Sequence, residues 1–440
     1  MSTKTLLKGG CVLTLGAGTK NYAKADVLIE ADRIADIGPD LRSRGSEVID
    51  AADTIVMPGF VDTHRHAWRS LFRNFGELDS SPPGPVYPNR YGPYYTPDDA
   101  YAGALISLLG AVEAGITTVV DWTDIGPGDE FATAVLQAHA DSGVRTVAVT
   151  ATPSWASLND ESVGASGAKP GLIGDLMTVA FGFGYPGLAD MADAEARWKK
   201  ARASGNRVHA HVGTNPDDRG SVARLGEAGL LGDDVTLVHC SHLDKEDLDA
   251  IANSGAKVSL SPSSEMAGGL GTPPIQMLLD RGIRPGLGVD DERVAPGDLF
   301  AQMRATNSIQ HATMFDLKLA GKAGLPSLLT TRDVLRYATI DGANAAGIGT
   351  FTGSIEIGKQ ADLIVLRADR PNIAPINDPI GAVVWGMDTS NLDWVFVAGR
   401  PLMKEGVLDA DVEKARSLAN TAQQRVARAA SLLATTGGSP

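Results

Sequence analysis

Hydrophobic residues in the middle of the chain come in short unbroken runs rather than in alternation, the pattern of strands buried on both faces of a parallel sheet. Eight such segments are found, at 55–63, 116–122, 145–150, 177–183, 207–212, 235–240, 257–261 and 284–289. Between most of them the spacing changes to that of amphipathic helices, over 97–114, 130–142, 190–204, 244–254 and 273–281. A glycine follows each helical stretch (Gly115, Gly143, Gly205, Gly255 and Gly282), as expected where a helix ends in the left-handed conformation. Strands alternating with helices in this number predict an α/β fold, a TIM-like (β/α)8 barrel. The interval 153–174 breaks the rule: it is rich in Ser, Gly and Ala, has no helical period, and reads as a long functional loop.

The two ends of the chain have a different texture. Short strands punctuated by glycine are predicted at 5–15, 24–30 and 33–37, and strand-like runs return at 361–367, 379–385 and 394–399. Neither end carries enough strands to stand alone, so together they are expected to form a small composite β-sandwich. The expected organisation is 1–58 as the first part of the sandwich, 59–351 as the barrel, 352–406 as the second part, and 407–440 as a C-terminal helix and tail.

Composition narrows the class of function. The chain has 440 residues, 43% hydrophobic and 21% charged, which excludes disordered and fibrous classes. A formal charge of -14 disfavours nucleic acid and anionic lipid, so neither nucleic acid nor membrane is expected as a partner. Cys11 and Cys240 are too few for a disulfide framework, and no apolar run is long enough to span a bilayer. With no secretory signal pattern at the N-terminus, the expected location is the cytoplasm.

The candidate chemistry sits at predicted strand ends. His64 and His66 close the first segment, and residues two apart on a strand point to the same side, so both imidazoles can reach one ion. His209 and His211 lie on the fifth segment, His239 and His242 on the sixth, and Asp290 ends the eighth. A barrel brings all its strand C-termini to one face, turning distant positions into a cluster. Imidazoles with one carboxylate suit a borderline divalent ion and leave a position open for water, which the ion acidifies.

Pro58-Gly-Phe-Val-Asp-Thr-His-Arg-His resembles the first metal motif of the amidohydrolase superfamily, in the branch of cytosine and guanine deaminases, adenosyl-homocysteine deaminases and triazine hydrolases. Gly115-Ile-Thr-Thr-Val-Val-Asp, Val208-His-Ala-His, Leu237-Val-His-Cys-Ser-His-Leu and Gly288-Val-Asp extend the resemblance through the barrel. Ala338-Thr-Ile-Asp-Gly-Ala, Gly353-Ser-Ile-Glu-Ile-Gly-Lys-Gln-Ala-Asp-Leu-Ile-Val-Leu and Val397-Ala-Gly-Arg carry it almost to the C-terminus. The resemblance implies that His64, His66, His211 and Asp290 are the metal ligands, that Asp290 also takes a proton from water, and that His239 holds substrate or water and stabilises developing negative charge. His209 is read as a buried neighbour. No lysine ends the segment 177–183, where binuclear relatives carry a bridging one, so a single divalent ion is expected: zinc first, with iron(II), manganese(II) and cobalt(II) as alternatives.

Two positions depart from the pattern. Deaminases of this branch carry a glutamate three residues after the strand-five ligand, where this chain has Thr214, and a hydroxyl cannot replace a carboxylate base at neutral pH. After strand seven the chain reads Ser261-Pro-Ser-Ser-Glu265, placing a carboxylate where the branch commonly has an amide, and Glu265 is therefore a candidate for proton transfer or for binding an amino group. His242 either assists or caps the next helix at Asp244. Aromatic residues after the strands, Trp68, Phe72, Trp122, Trp155 and Tyr185, with Tyr87, Tyr91, Tyr94 and Tyr95 before the first helix, suit a planar ring. Arg65, Arg69 and Arg73 recur every four residues, one as a candidate for a carbonyl and the others for salt bridges.

The expected activity is hydrolytic displacement of an amino, amine or similar group from a planar nitrogen-rich or urea-like small molecule. Its rivals are cleavage of an amide, carbamate or urea bond, and a catalytically silent ligand-binding relative. A homodimer or larger homo-oligomer is expected from the resemblance.

Overall fold

The computed structural model describes residues 4–42, 44–75, 90–126, 128–153, 174–184 and 191–435. Strands β1 (Lys4–Val12), β2 (Tyr22–Glu30), β3 (Arg33–Gly38), β4 (Glu47–Asp50) and β5 (Thr54–Pro58) precede the barrel. The barrel strands are β6 (Phe60–Arg65), β7 (Ile116–Thr123), β8 (Arg145–Thr150), β9 (Met177–Phe183), β10 (Arg207–Val212), β11 (Val235–His239), β12 (Lys257–Leu260) and β13 (Gly286–Leu287). Strands β14 (Leu363–Arg367), β15 (Leu392–Val397), β16 (Arg400–Lys404) and β17 (Val407–Leu408) follow.

The eight central strands pair in sequence order, all parallel, as the alternation of buried runs and helices requires. Their ring closes at the end that carries the chemistry. The Asp290 amide donates to the His64 carbonyl at 2.7 Å, and the His66 amide donates to the Asp290 carbonyl at 3.1 Å. Val61, Val120, Trp122, Val147, Val149, Ala180 and Val238 fill the interior below that closure, so the barrel is packed rather than hollow. Helix ends follow the glycine signals: Gly143, for example, caps Asp129–Ser142 at φ 73°, where any other L-residue would be strained.

The strands from both termini form one hydrogen-bonded network of nine, in which β5 lies between β14 and β1. They enclose a core of their own, with Leu7, Val27, Ile29, Val56, Leu363, Val365, Trp394 and Phe396. Asp362 ties this sheet to the barrel: Arg145 donates to its two oxygens at 2.7 and 3.0 Å, and the Gly59 amide to its carbonyl at 3.0 Å. The helix Val412–Thr435 lies against Pro97–Glu113, where Arg425 pairs with Asp99.

Three expectations are revised. The run 55–63 is not one strand. It divides at Gly59, where any side chain would collide with Thr117 at 2.2 Å, into β5, which pairs with β1 and β14 of the outer sheet, and β6, which pairs with β7 of the barrel. The stretch 379–385 is helical: the Asp378 carboxylate caps Ile380 and Gly381, and Val383 and Val384 are buried by the turns that follow. The strands β4, β16 and β17, and the helices Ser221–Glu227, Leu299–Leu319, Thr331–Tyr337 and Ile340–Ala345, had no predicted counterpart. The loop predicted at 153–174 lies almost wholly outside the described residues. Among the described residues no helix is long and apolar enough to cross a membrane.

Candidate metal centre and active site

His64 and His66 stand at the end of β6, His211 on β10, His239 at the end of β11, and Asp290 three residues past β13. Parallel pairing sets Val238 beside His211 and Val212 beside His239, so β10 and β11 deliver their histidines to the same end of the barrel, one register step apart. Two groups could each hold one ion, with donor atoms mutually within 4.8 Å: His64, His211 and His239, and His64, His66 and Asp290. His64 belongs to both, and its ring centre lies 4.9 Å from those of His66 and His211 and 5.3 Å from that of His239. Asp290 Oδ1 lies 3.3 Å from His64 Nε2 and 3.7 Å from His66 Nε2.

The backbone is bent to achieve this. Asp290, His239 and Cys240 adopt φ of 65°, 77° and 64°, a left-handed region that side chains other than glycine and asparagine seldom occupy. Three such residues at one end of the barrel show that the surroundings impose the geometry.

A metal fits this donor set. His64 Nε2 and His211 Nε2 are buried polar atoms that no described protein group satisfies, a costly condition unless another partner completes them. Burial holds His64 down to about 3, only partly opposed by Asp290, and holds His211 well below the usual histidine value. Both imidazoles are therefore neutral near pH 7, with lone pairs available to a cation.

Neighbouring groups orient the ligands. His66 Nδ1 meets Asp124 Oδ1 at 2.8 Å. Asp124 also accepts from Trp68 Nε1 at 2.7 Å and from Arg69 at 2.9 Å. Burial opposes the charge on Asp124, but His66 and Arg69 outweigh it and hold the carboxyl at about 2. Arg69 reaches in addition to Asp291, beside Asp290. The Ser264 hydroxyl donates to Asp290 Oδ2 at 2.8 Å, and Trp122 stacks on His211 with ring centres 4.0 Å apart.

Glu265 is fully buried on the short helix Pro262–Ala267, so it is not a solvated loop residue. Its Oε1 accepts from the Ser261 amide at 2.8 Å and lies 3.2 Å from His239 Nδ1, while Oε2 has no protein partner. Burial pushes the Glu265 carboxyl above its usual value. Burial also opposes charge on His239, but the contacts with Glu265 and Asp290 prevail and raise it. The pair is thus suited to hold a proton between them.

The remaining expected residues have these places. Thr214 is buried, but its hydroxyl and amide are both turned to Asp218, at 3.1 and 2.8 Å. Trp68 is completely buried and braces Asp124 instead of presenting a ring to a ligand. His242 stands outside both ligand groups, half-buried beside Gly271, and Asp244 caps the following helix with its own side chain. Trp155, Tyr185 and Tyr87 lie outside the described residues. Arg65, Arg69 and Arg73 all form ion pairs, with Asp62 and Glu292, with Asp124 and Asp291, and with Glu292 respectively. Asp124 and Ser264 were missed, although Asp124 directly follows β7, three residues after the motif that ends at Asp121, and its position at a strand end was a readable signal.

A parallel barrel that gathers four imidazoles and a carboxylate at its strand ends, most of them steadied by buried partners, defines a metal-dependent hydrolase. The chain belongs to the amidohydrolase family, whose model matches residues 55–402. It is similar to the 5′-deoxyadenosine deaminase of Methanosarcina mazei, 29% identical over 449 residues that cover 96% of this chain and 99% of the relative. It is also similar to the 5-methylthioadenosine/S-adenosylhomocysteine deaminase of Symbiobacterium thermophilum, at 27% identity over 424 residues, covering 90% and 93%. Among solved structures, an adenosine deaminase from Xanthomonas campestris with bound zinc matches with TM-score 0.80 and 20% identity, covering 97% of this chain and 99% of that one. The atrazine chlorohydrolase of Arthrobacter aurescens complexed with zinc matches with TM-score 0.80 and 23% identity, covering 95% and 100%. At these identities the structures show a shared fold. The chain is a hydrolase of carbon–nitrogen bonds in small molecules.

Proposed function

We propose that the protein uses one divalent ion, zinc in the first instance, to hydrolyse an amino or amine substituent from a planar nitrogen-rich heterocycle. The observation that carries this reading is the convergence of His64, His66, His211, His239 and Asp290 on one point, with Glu265 joined to His239. The names of the relatives, deaminases of adenine nucleosides and hydrolases of triazines, support a ring with an exocyclic leaving group as the substrate class.

His64, His66, His211 and Asp290 would hold the ion, which when bound supplies positive charge that acidifies water. Asp290 is then the nearest base. Its Oδ2 is fixed by Ser264, which keeps the carboxylate oriented to receive a proton. His239 faces the same point and donates a hydrogen bond where negative charge develops on the attacked ring. Glu265 fixes the His239 ring through Nδ1 and supplies the carboxylate that Thr214 cannot, so a proton passes to the leaving nitrogen by way of His239. Trp122, beside His211, and the Asp124–Trp68–Arg69 group keep the ligands in place and are not substrate contacts in this scheme.

A second reading has one observation in its favour. With the Thr214 hydroxyl committed to Asp218, the usual strand-five carboxylate has no equivalent there, which favours cleavage of an amide, carbamate or urea bond. Ammonia release from 5′-deoxyadenosine, methylthioadenosine and amino-triazines, measured beside hydrolysis of simple amides and ureas on protein of known metal content, separates the two. Turnover of ring amines supports the first reading. Activity confined to acyclic amides or ureas supports the second, and metal-loaded protein inert toward every compound overturns both.

A further inference from the structure

The imidazoles of the centre differ in how their second nitrogen is held. His66 uses Nδ1 on Asp124 and His239 uses Nδ1 on Glu265, the arrangement that fixes tautomer and ring orientation in a metal site. His64, shared by both possible ligand groups, lacks such a support: its Nδ1 is buried and meets no acceptor among the described residues. An N–H left in that state forfeits the hydrogen bond it makes in water, so a partner is required.

The barrel interior contains a second orphan. His209 is completely buried, and neither of its ring nitrogens has a partner among the described residues. It precedes His211 by two positions on β10, so the two point to the same side, His209 lying one layer deeper. Its direct neighbours in the sheet are Gly182 and Thr236. The first has no side chain, and the hydroxyl of the second donates to the Ala345 carbonyl at 2.7 Å. Nothing alongside His209 in the wall satisfies it. Trp122 Nε1, on the ring stacked against His211, is a third buried polar atom without a partner. The apolar residues packed in the interior here include Val61, Val120, Val147, Val149 and Val238.

We infer that His209 is a positioning residue for the metal centre, accepting through one buried water the hydrogen bond that His64 Nδ1–H must donate. The water accepts from His64, donates to one His209 nitrogen, and can accept from Trp122, which gives it the two to four polar partners a buried water needs. His209 thereby does for His64 what Asp124 does for His66, with a neutral group that adds no charge beneath the ion. This rests on the reading of His64 as a ligand, and it goes beyond that reading by assigning a role to a residue that touches neither metal nor substrate.

The test is metal affinity, read by competition with a chromophoric chelator for zinc and by the visible absorption of the cobalt(II)-loaded protein. His209→Leu should weaken zinc binding roughly 10- to 100-fold and alter the cobalt spectrum, while His209→Gln, which retains hydrogen-bonding atoms, recovers most of the affinity. Should the leucine variant not fold, His209→Phe keeps the ring shape without its nitrogens and serves the same comparison. Native affinity and an unchanged spectrum in a folded apolar variant overturn the inference. Failure of the native protein to take up either ion, or His64→Ala binding as well as native, overturns instead the ligand assignment on which it stands.

Discussion

Glu265 Oε1 lies 3.2 Å from His239 Nδ1, joining the short helix after β12 to the end of β11 inside a fully buried site. A carboxylate so placed costs desolvation that only a functional or strongly paired role offsets. Replacing Glu265 by Gln keeps the shape and removes the charge. The expected result is a fall in kcat of roughly 10²- to 10⁴-fold, the range for loss of a positioned acid or base, with metal content unchanged. Steady-state kinetics with elemental analysis of the same preparation decides it, and native turnover would remove Glu265 from the mechanism.

The support beneath His66 gives a prediction with a different readout. In Asp124→Asn the partner of His66 Nδ1 loses its charge, and the amide cannot serve Trp68 Nε1 and Arg69 as the carboxylate does. Zinc affinity should drop roughly 10- to 100-fold, because an outer partner fixes the ring that binds the ion. Chelator competition measures this directly. An unchanged dissociation constant would mean that the strand alone orients His66.

Removal of the metal should act on both activity and stability. His64 and His211 are kept neutral by burial, and Asp290 is held well below its usual value because His64, His239 and His66 outweigh the effect of burial. Donors so prepared bind an ion in the folded state and not in the unfolded chain, so ligand linkage predicts a gain of about 2.7 kcal/mol at metal 100-fold above its dissociation constant. Dialysis against a chelator should abolish turnover and lower the Tm, and added zinc should restore both. A Tm indifferent to metal would contradict the convergence of these donors.

Much of this centre was legible in the chain because its signals are local. His64-Arg-His66 at the end of a buried run, Asp290 at the end of another, and a glycine after each helix report strand ends and helix ends without knowledge of the fold. What escaped depends on pairing. The run 55–63 is largely apolar, and nothing in its pattern tells that β5 joins one sheet and β6 another; the separation lies in the pairing of β5 with β1 and β14 and of β6 with β7. Trp68 was expected to line a pocket because aromatic residues near strand ends often do, but its indole is spent on Asp124, 56 positions away. The stretch 379–385 misled for a related reason: apolar residues bracketed by Pro and Gly fit a short strand as well as a helical turn, and the Asp378 cap decides between them.

The junction between barrel and outer sheet supplies a prediction free of the active site. Arg145 begins β8, Asp362 precedes β14, and both are buried. Besides the two hydrogen bonds from Arg145, the Asp362 carboxylate accepts from the Thr352 hydroxyl and the Ala398 amide, each at 2.7 Å, so all its acceptor positions are engaged. Asp362→Ala leaves the guanidinium buried without its counter-ion and two further donors unpaired. Breaking a buried pair from one side costs about 3–5 kcal/mol, a large part of a typical folding free energy. Denaturant unfolding should show a loss of that order. Because Asp362 touches none of the metal-site residues, the fraction that remains folded should keep native kcat and zinc affinity. Replacing both partners with apolar residues of similar size, Arg145→Met with Asp362→Leu, should recover stability relative to the single variant, since no unpaired charge remains. A single variant as stable as the native chain would show that water, rather than this ion pair, satisfies the junction.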